Sequence, residues 1–199
     1  MNAPSNHPLQ IADESEHARL VPVLTRAFEE DPAFNWMLPD PVSRRVRKAR
    51  LFELLLRLDR STARILRGGD FECVSIWQPP GSADVPLLTV ARNVHHLLGI
   101  FGRHVPRSLA VSGAIEAHYP PGKFWYVHLV GVEPNMQGRG WGRAMMREGL
   151  RFAARDGLPT YLETAQPSNV AFYEGMGFET VGRWDVKNGP HFWSLLHQP

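Results

Sequence analysis

The stretch Val130-Gly131-Val132-Glu133-Pro134-Asn135-Met136-Gln137-Gly138-Arg139-Gly140-Trp141-Gly142 restricts the possible folds of this chain more than any other. A β-rich aromatic run, Phe124 to Val132, enters it, and an amphipathic helical pattern leaves it. Strand, glycine loop and helix start, in that order, aim backbone N–H groups and the positive end of a helix at an anion, usually a phosphate. Glycines let the chain turn tightly and let a ligand reach the backbone without meeting a Cβ. Arg139 and Arg143 add positive charge at the same end. Gly138, Gly140 and Gly142 alternate, so the dinucleotide fingerprint is missed by one position, and no Gly-Lys-Ser/Thr follows as a P-loop requires. Taken alone, the loop reads either as a pyrophosphate cradle or as a glycine-rich turn with solvated arginines.

Two further segments accompany it in a fixed order. Leu162-Glu163-Thr164 comes next, then Asn169-Val170-Ala171-Phe172-Tyr173-Glu174-Gly175-Met176-Gly177-Phe178. With Gln137-Gly138-Arg139-Gly140-Trp141-Gly142, these segments resemble the signatures of the GNAT N-acetyltransferase superfamily, most closely its puromycin N-acetyltransferase-like branch. The resemblance is specific from Phe124 to about His197. Over the first 120 residues it rests on the order of elements and on Ala27-Phe28 followed by Asp31-Pro32. It implies acetyl-CoA as co-substrate and a mixed, largely antiparallel sheet with helices on both faces and a splayed central strand pair.

At 199 residues, 43% hydrophobic and 21% charged, the chain has the size and make-up of one α/β (α+β) domain. Residues 1–199 are expected to form a single N-acetyltransferase domain, with 1–10 frayed and 124–197 carrying the acetyl-CoA signatures. A net charge of +2 suits an anionic co-substrate, and no dense basic tract interleaved with aromatics argues for nucleic acid. The run Arg44-Arg45-Val46-Arg47-Lys48 reads as a solvated helix face. A single Cys73, taken as a small buried residue, excludes a disulfide framework. No apolar run approaches the roughly twenty residues of a membrane span. The polar start, Met1 to Gln10, has no signal-peptide core. These features lead to the expectation of a soluble cytoplasmic protein, without membrane or nucleic-acid partners. The oligomeric state is open, a homodimer included.

Periodicity predicts helices over Asp13–Glu29, Val42–Asp59, Pro86–Phe101, Pro106–His118, Gly140–Asp156 and, N-capped by Ser168, up to Gly177. It predicts strands over Ala63–Arg67, Phe71–Trp77, Phe124–Val132, Pro159–Thr164, Phe178–Val186 and His191–Leu196. The prolines between Asp31 and Pro41 read as a loop carrying Phe34, Trp36 and Met37. Trp141, Met145, Gly149 and Phe152 share one helix face, Arg143, Arg147 and Arg151 another, and Gly157 is the C-cap.

N-acetylation needs a cofactor anchor, an oxyanion donor, an outlet for the amine proton and an acid for the leaving thiolate. The anchor set is Gln137, Gly138, Arg139, Gly140, Trp141, Gly142 and Arg143, with arginine suited to a phosphate. Gly131, inside a bulky strand, marks a bulge or a close backbone approach, or merely relieves crowding. The resemblance implies that the Val130 N–H meets the thioester oxygen, that Val132 pairs with the pantetheine arm and that Asn169 contacts CoA. Tyr173, four residues beyond Asn169 on one helix face, is the candidate acid, since a phenol stays protonated at neutral pH. Two bases remain open: Glu163, whose burial in a strand raises its pKa, and His128, which alternates with Tyr126 and Val130 on one strand face.

The other histidines show no metal-ligand spacing, because the adjacent His95 and His96 would point apart on a helix, and no metal is expected. No nucleophile elbow is present, so direct transfer in a ternary complex is favoured over an acyl-enzyme. Phe34, Trp36, Trp77, Trp125 and Tyr126 are candidates to line a pocket for a small primary amine. Competing readings are transfer to a protein N-terminus or lysine, and a non-catalytic acyl-CoA sensor.

Overall fold

The computed structural model describes residues 8–59, 62–83 and 87–199, and residues 1–7 of the expected frayed end lie outside them. The elements in chain order are β1 (Leu9–Ile11), α1 (His17–Ala27), α2 (Pro32–Met37), α3 (Arg44–Asp59), β2 (Arg64–Gly68), β3 (Cys73–Gln78), α4 (Leu87–Arg92), α5 (Val94–Phe101), α6 (Val105–Ala117), β4 (Trp125–Val132), α7 (Trp141–Asp156), β5 (Thr160–Thr164), α8 (Pro167–Glu174), β6 (Glu179–Asp185) and β7 (His191–His197). The seven strands form one sheet in the order β1-β2-β3-β4-β5-β7-β6. Each neighbouring pair is antiparallel except β4 and β5, which run parallel. That parallel pair touches only at Trp125↔Thr160 and Tyr126↔Tyr161, after which the strands separate. The splayed central pair is therefore present, and beyond Tyr126 no strand among the described residues covers the second edge of β4.

Helices cover both faces. α7 packs Trp141, Met145, Met146 and Ala153 onto Cys73, Trp77, Trp125 and Val127. Gly149 makes this possible, since a Cβ there would stand 1.9 Å from the Trp77 ring. The helix begins after Gly140 and ends at Gly157, both left-handed, as expected of a C-cap glycine. On the opposite face, α1 and α3 bury Leu20, Leu24, Phe52 and Leu56 against Ile65, Val74, Ile76 and Leu129. Cys73 is fully buried, and burial pushes its thiol up to about 12.

Several expectations are corrected. Residues 9–11 are not frayed but pair with Gly68, Arg67 and Leu66. The Asp31–Pro41 stretch is not all loop: Asp31 accepts from the Ala33 and Phe34 N–H groups, and Pro32 opens α2. The Pro86–Phe101 helix is broken at Asn93 into α4 and α5, and Pro86 lies outside the described residues. α8 is capped at Gln166 rather than Ser168, because Pro167 takes the first turn, and the helix stops at Glu174. His95 and His96 do not diverge, since their rings lie 4.0 Å apart.

The basic run is a solvated face only in part: Arg45 is exposed, whereas Arg44, Arg47 and Lys48 are engaged by the fold. Lys48 is 2% exposed and its Nζ donates to the Phe28 and Glu29 carbonyls and to Asn35 Oδ1, at 2.6, 3.0 and 3.1 Å. Arg44 holds the Leu38 and Pro39 carbonyls and Arg47 that of Ile100. These cations satisfy carbonyls at helix ends and turns, where intrahelical donors run out. Lys48 thereby fixes the turn after α1, which borders the site.

Candidate active site

A groove of ≈ 910 Å³ runs past the glycine loop. Val130, Gly131 and Val132 of β4, then Gln137, Gly138, Gly140, Gly142 and Arg143, form one side, and Ala27, Phe28 and Asp31 face them. Gly138 and Gly140 have φ of 74° and 90°, a region that suits glycine and lets the loop coil tightly. The Ala144 N–H donates to the Gly140 carbonyl at 3.0 Å and starts α7, so the N–H groups of Gly142 and Arg143 lie in the first turn, ahead of the intrahelical bonds. Arg143 reaches the Gly175 carbonyl at 3.2 Å, tying α7 to the turn after α8. Gln137 Nε2 donates to the Val132 carbonyl at 3.3 Å. Arg26, also in the groove wall, is paired with Glu133.

Trp141 lines the groove and, 6% exposed with its indole packed on Gly68 and Gly69, also ties the loop to the core. One member of the expected anchor set stands outside the groove wall. Arg139 is exposed and does not line the groove. Gly131 is explained by α1: a Cβ there would stand 3.0 Å from Ala27 Cβ and 3.3 Å from Leu24 Cδ2. The close approach is therefore by a helix.

A bulge at His128 reorganises β4. Ile76 pairs with Leu129 and Trp77 with Val127, leaving His128 opposite no residue of β3. Trp125 and Val127 face α7, yet beyond the bulge it is Val130 and Val132 that pack on that side, while Leu129 faces α1 and α3. His128 thus shares a face with Tyr126, its ring stacked at 5.7 Å, but not with Val130, as simple alternation predicts.

The second cavity, ≈ 590 Å³, lies between α2, α3, α5, α6 and the sheet. Of the five aromatic candidates, Phe34 and Tyr126 line it. Trp36 does not; its indole N–H donates to the Asn188 carbonyl at 2.9 Å. Trp77 and Trp125 sit in the core under α7, their N–H groups satisfied by Ser75 and Asp156. Phe28, Asp31, Val130, Asn169 and Tyr173 border both cavities, and this shared wall is where two ligands would meet.

Ionisable groups gather beside that wall. Glu163 accepts a very short hydrogen bond from the Tyr126 hydroxyl, and its second oxygen is buried without a partner. Burial pushes Glu163 up to about 7, against the hydrogen bond from Tyr126 and the charge of His128. His128 Nδ1 lies 2.9 Å from Asp59 Oδ2, and Gln78 Nε2 donates to Asp59 Oδ1 at 2.6 Å. Burial opposes charge on His128, but Asp59's charge and hydrogen bond outweigh it and hold the imidazole above its usual range. In the neutral ring, Nδ1–H donated to Asp59 leaves the lone pair on the other nitrogen. Tyr173 is 8% exposed, and burial, with the Glu163 and Asp31 charges, pushes its phenol far up. Asn169 lies at 3.5 Å from Thr164 Oγ1. Among the described residues, no cluster of His, Cys, Asp and Glu side chains could hold a metal ion.

Asp59 and Gln78 escaped the sequence reading. Asp59 ends a helix 69 positions from His128, and nothing in its local pattern marks it. Asp31 was visible only as part of Asp31-Pro32, where its capping role is local.

Comparisons with known proteins bear on the family and the fold. The model of the acetyltransferase (GNAT) family matches residues 76–178, from β3 to the end of the Tyr173 segment. An uncharacterized N-acetyltransferase of Schizosaccharomyces pombe is 24% identical over 178 residues, covering 83% of this chain and 72% of its own. The N-alpha-acetyltransferase RimI of Mycobacterium tuberculosis is 48% identical over 58 residues, 28% of this chain and 35% of its own. A Corynebacterium glutamicum structure described as histone acetyltransferase HPA2 and related acetyltransferase superposes with a TM-score of 0.76 at 22% identity, covering 97% of this chain and 96% of its own. These likenesses support the family rather than any branch within it. With the matched model spanning half of its length, the chain belongs to the acetyltransferase (GNAT) family.

Proposed function

We propose that this protein transfers an acetyl group from acetyl-CoA to the primary amine of a small molecule, by direct attack in a ternary complex. The observation that carries the reading is the pair of cavities meeting at Val130, Asn169 and Tyr173. The glycine-lined groove suits a pyrophosphate and an extended arm, with Arg143 and Arg45 adding positive charge. The uncovered edge of β4 offers backbone groups to that arm, and the Val130 N–H is the proposed donor to the thioester oxygen. A donor of this kind contributes about 2.7–4 kcal/mol to the barrier.

The amine arrives as an ammonium ion. Glu163, held at about 7, takes its first proton, which passes on to solvent. The nitrogen attacks the thioester carbon, and the C–S bond breaks as the tetrahedral centre collapses. Tyr173, with its phenol pushed up by burial, is too weak an acid to protonate a thiolate unaided. It acts as a relay: the nitrogen's second proton replaces the phenol proton as the latter moves to sulfur. Products are the amide and free CoA thiol, with one proton released. His128, tied to Asp59, is the alternative acceptor of the first proton. The mainly apolar walls of the second cavity, Leu51, Leu54, Leu58 and Val111 among them, favour a small molecule over a polar protein tail.

Gly140→Asp tests the anchor. A side chain at φ 90° and a negative charge both enter the cradle, so calorimetric titration should find CoA binding lost in a folded variant. Unchanged affinity would remove the loop from the site.

A further inference from the structure

The acceptor cavity is walled mainly by apolar side chains, with Thr89, Asn93, Ser108 and Ser112 interspersed, and is acidic where it meets the cofactor groove. Leu54, Leu55 and Leu58 of α3, Leu97 of α5 and Val111 and Ile115 of α6 supply its walls. Asp31 and Glu163 stand at the shared end, and Glu116 on the exposed side of α6. Among the described residues no lysine or arginine lines it, whereas Arg26, Arg45 and Arg143 line the cofactor groove. An ammonium head meets a part-buried carboxylate only at the shared end, since Glu116 stands exposed to solvent. A carboxylate or phosphate would lose its water among leucines without gaining a lysine or arginine partner.

We propose that the acceptor is an apolar primary monoamine, an alkyl- or aryl-substituted amine whose only charge is the ammonium head placed beside Glu163 and whose body lies between α3 and α6. The proposal rests on the acetyl-transfer reading and narrows it to one chemical class. Each added methylene moves apolar surface from water into the cavity, worth about fourfold in kcat/KM until the cavity is filled. A carboxylate at the far end of the same chain costs at least about 100-fold, since no lysine or arginine among the described residues lines the cavity to pair with it.

Thiol release from acetyl-CoA is measured with n-alkylamines from propylamine to heptylamine, 6-aminohexanoate, spermidine and a short peptide with a free N-terminus. The expected result is a rise of about fourfold per methylene up to hexylamine, with 6-aminohexanoate at least about 100-fold below hexylamine. Leu58→Arg, checked for intact CoA binding, should lower hexylamine at least tenfold and raise 6-aminohexanoate relative to it. A flat or falling alkylamine series overturns the proposal and leaves acetyl transfer standing, as does spermidine or the peptide outpacing every apolar amine. Release with none of these amines, in protein that binds CoA, overturns the acetyl-transfer reading and the proposal together.

Discussion

Replacing Glu163 with glutamine separates the carboxylate's chemistry from its packing. Glutamine keeps the shape and an acceptor for the Tyr126 hydroxyl, and it puts an amide nitrogen where the unpartnered oxygen stands. Burial holds Glu163 at about 7 against an ordinary 4.5. That difference, at 1.36 kcal/mol per pH unit, is about 3 kcal/mol. Between pH 4.5 and 7 the unfolded chain has released this proton while the folded chain still holds it. Stability therefore falls as pH rises through that window, and by pH 8 the whole deficit is present. Glutamine carries no such deficit. Urea unfolding should find Glu163→Gln level with wild type near pH 4.5 and up to about 3 kcal/mol more stable at pH 8, a midpoint higher by about 1 M or more. Activity should move the other way: kcat/KM at pH 8 falls by roughly 10²–10⁴-fold, and the acidic limb near pH 7 disappears. His128→Gln should keep that limb. A variant less stable than wild type at pH 8, or a limb that survives in Glu163→Gln, refutes this reasoning.

Gly149→Ala should lower the thermal midpoint by several degrees, since overpacking against a Trp77 fixed by its 2.9 Å bond to Ser75 costs more than the roughly 1 kcal/mol of helix propensity gained; an unchanged midpoint in a melting scan would show that α7 can slide. Lys48→Met leaves the Glu29 carbonyl without the Lys48 donor and the Phe28 carbonyl with the Asp31 N–H at 3.3 Å, and should destabilise by about 1–3 kcal/mol in denaturant titration, less the relief of not burying a cation; a neutral result would remove Lys48 as the clamp on the turn beside the site.

Much of the second half of the fold was legible because its signals are local. The 3.6-residue period of Trp141, Met145, Gly149 and Phe152 and the glycines at both ends define α7 almost to the residue. The first half hides its structure in tertiary relations. β1 has three residues and exists only through pairing with β2. α2 is one and a half turns held by a cap, shorter than any periodicity can reveal. Lys48 looks like a surface charge until the carbonyls of residues 28 and 29 are brought to it.

The site divides in the same way. Tyr173, Asn169, Gly138 and Gly140 sit in contiguous motifs, and they border the groove. His128 was visible, but its partner and direction were not, because a bulge shifts every later residue of β4 to the other face. Arg139 shows the reverse: a residue inside the motif need not line the groove.

Free thiol released from acetyl-CoA in the presence of primary amines, compared between wild type and Tyr173→Phe, tests the reaction itself. Wild type should release thiol only when an amine is present. The phenylalanine keeps the ring packed against Phe172 and Phe178, so CoA affinity should hold while turnover drops roughly 10²–10⁴-fold. Turnover within about threefold of wild type would show that Tyr173 carries no proton to the sulfur. Amine-independent binding with no thiol release would make the protein a CoA-binding module and contradict acetyl transfer outright.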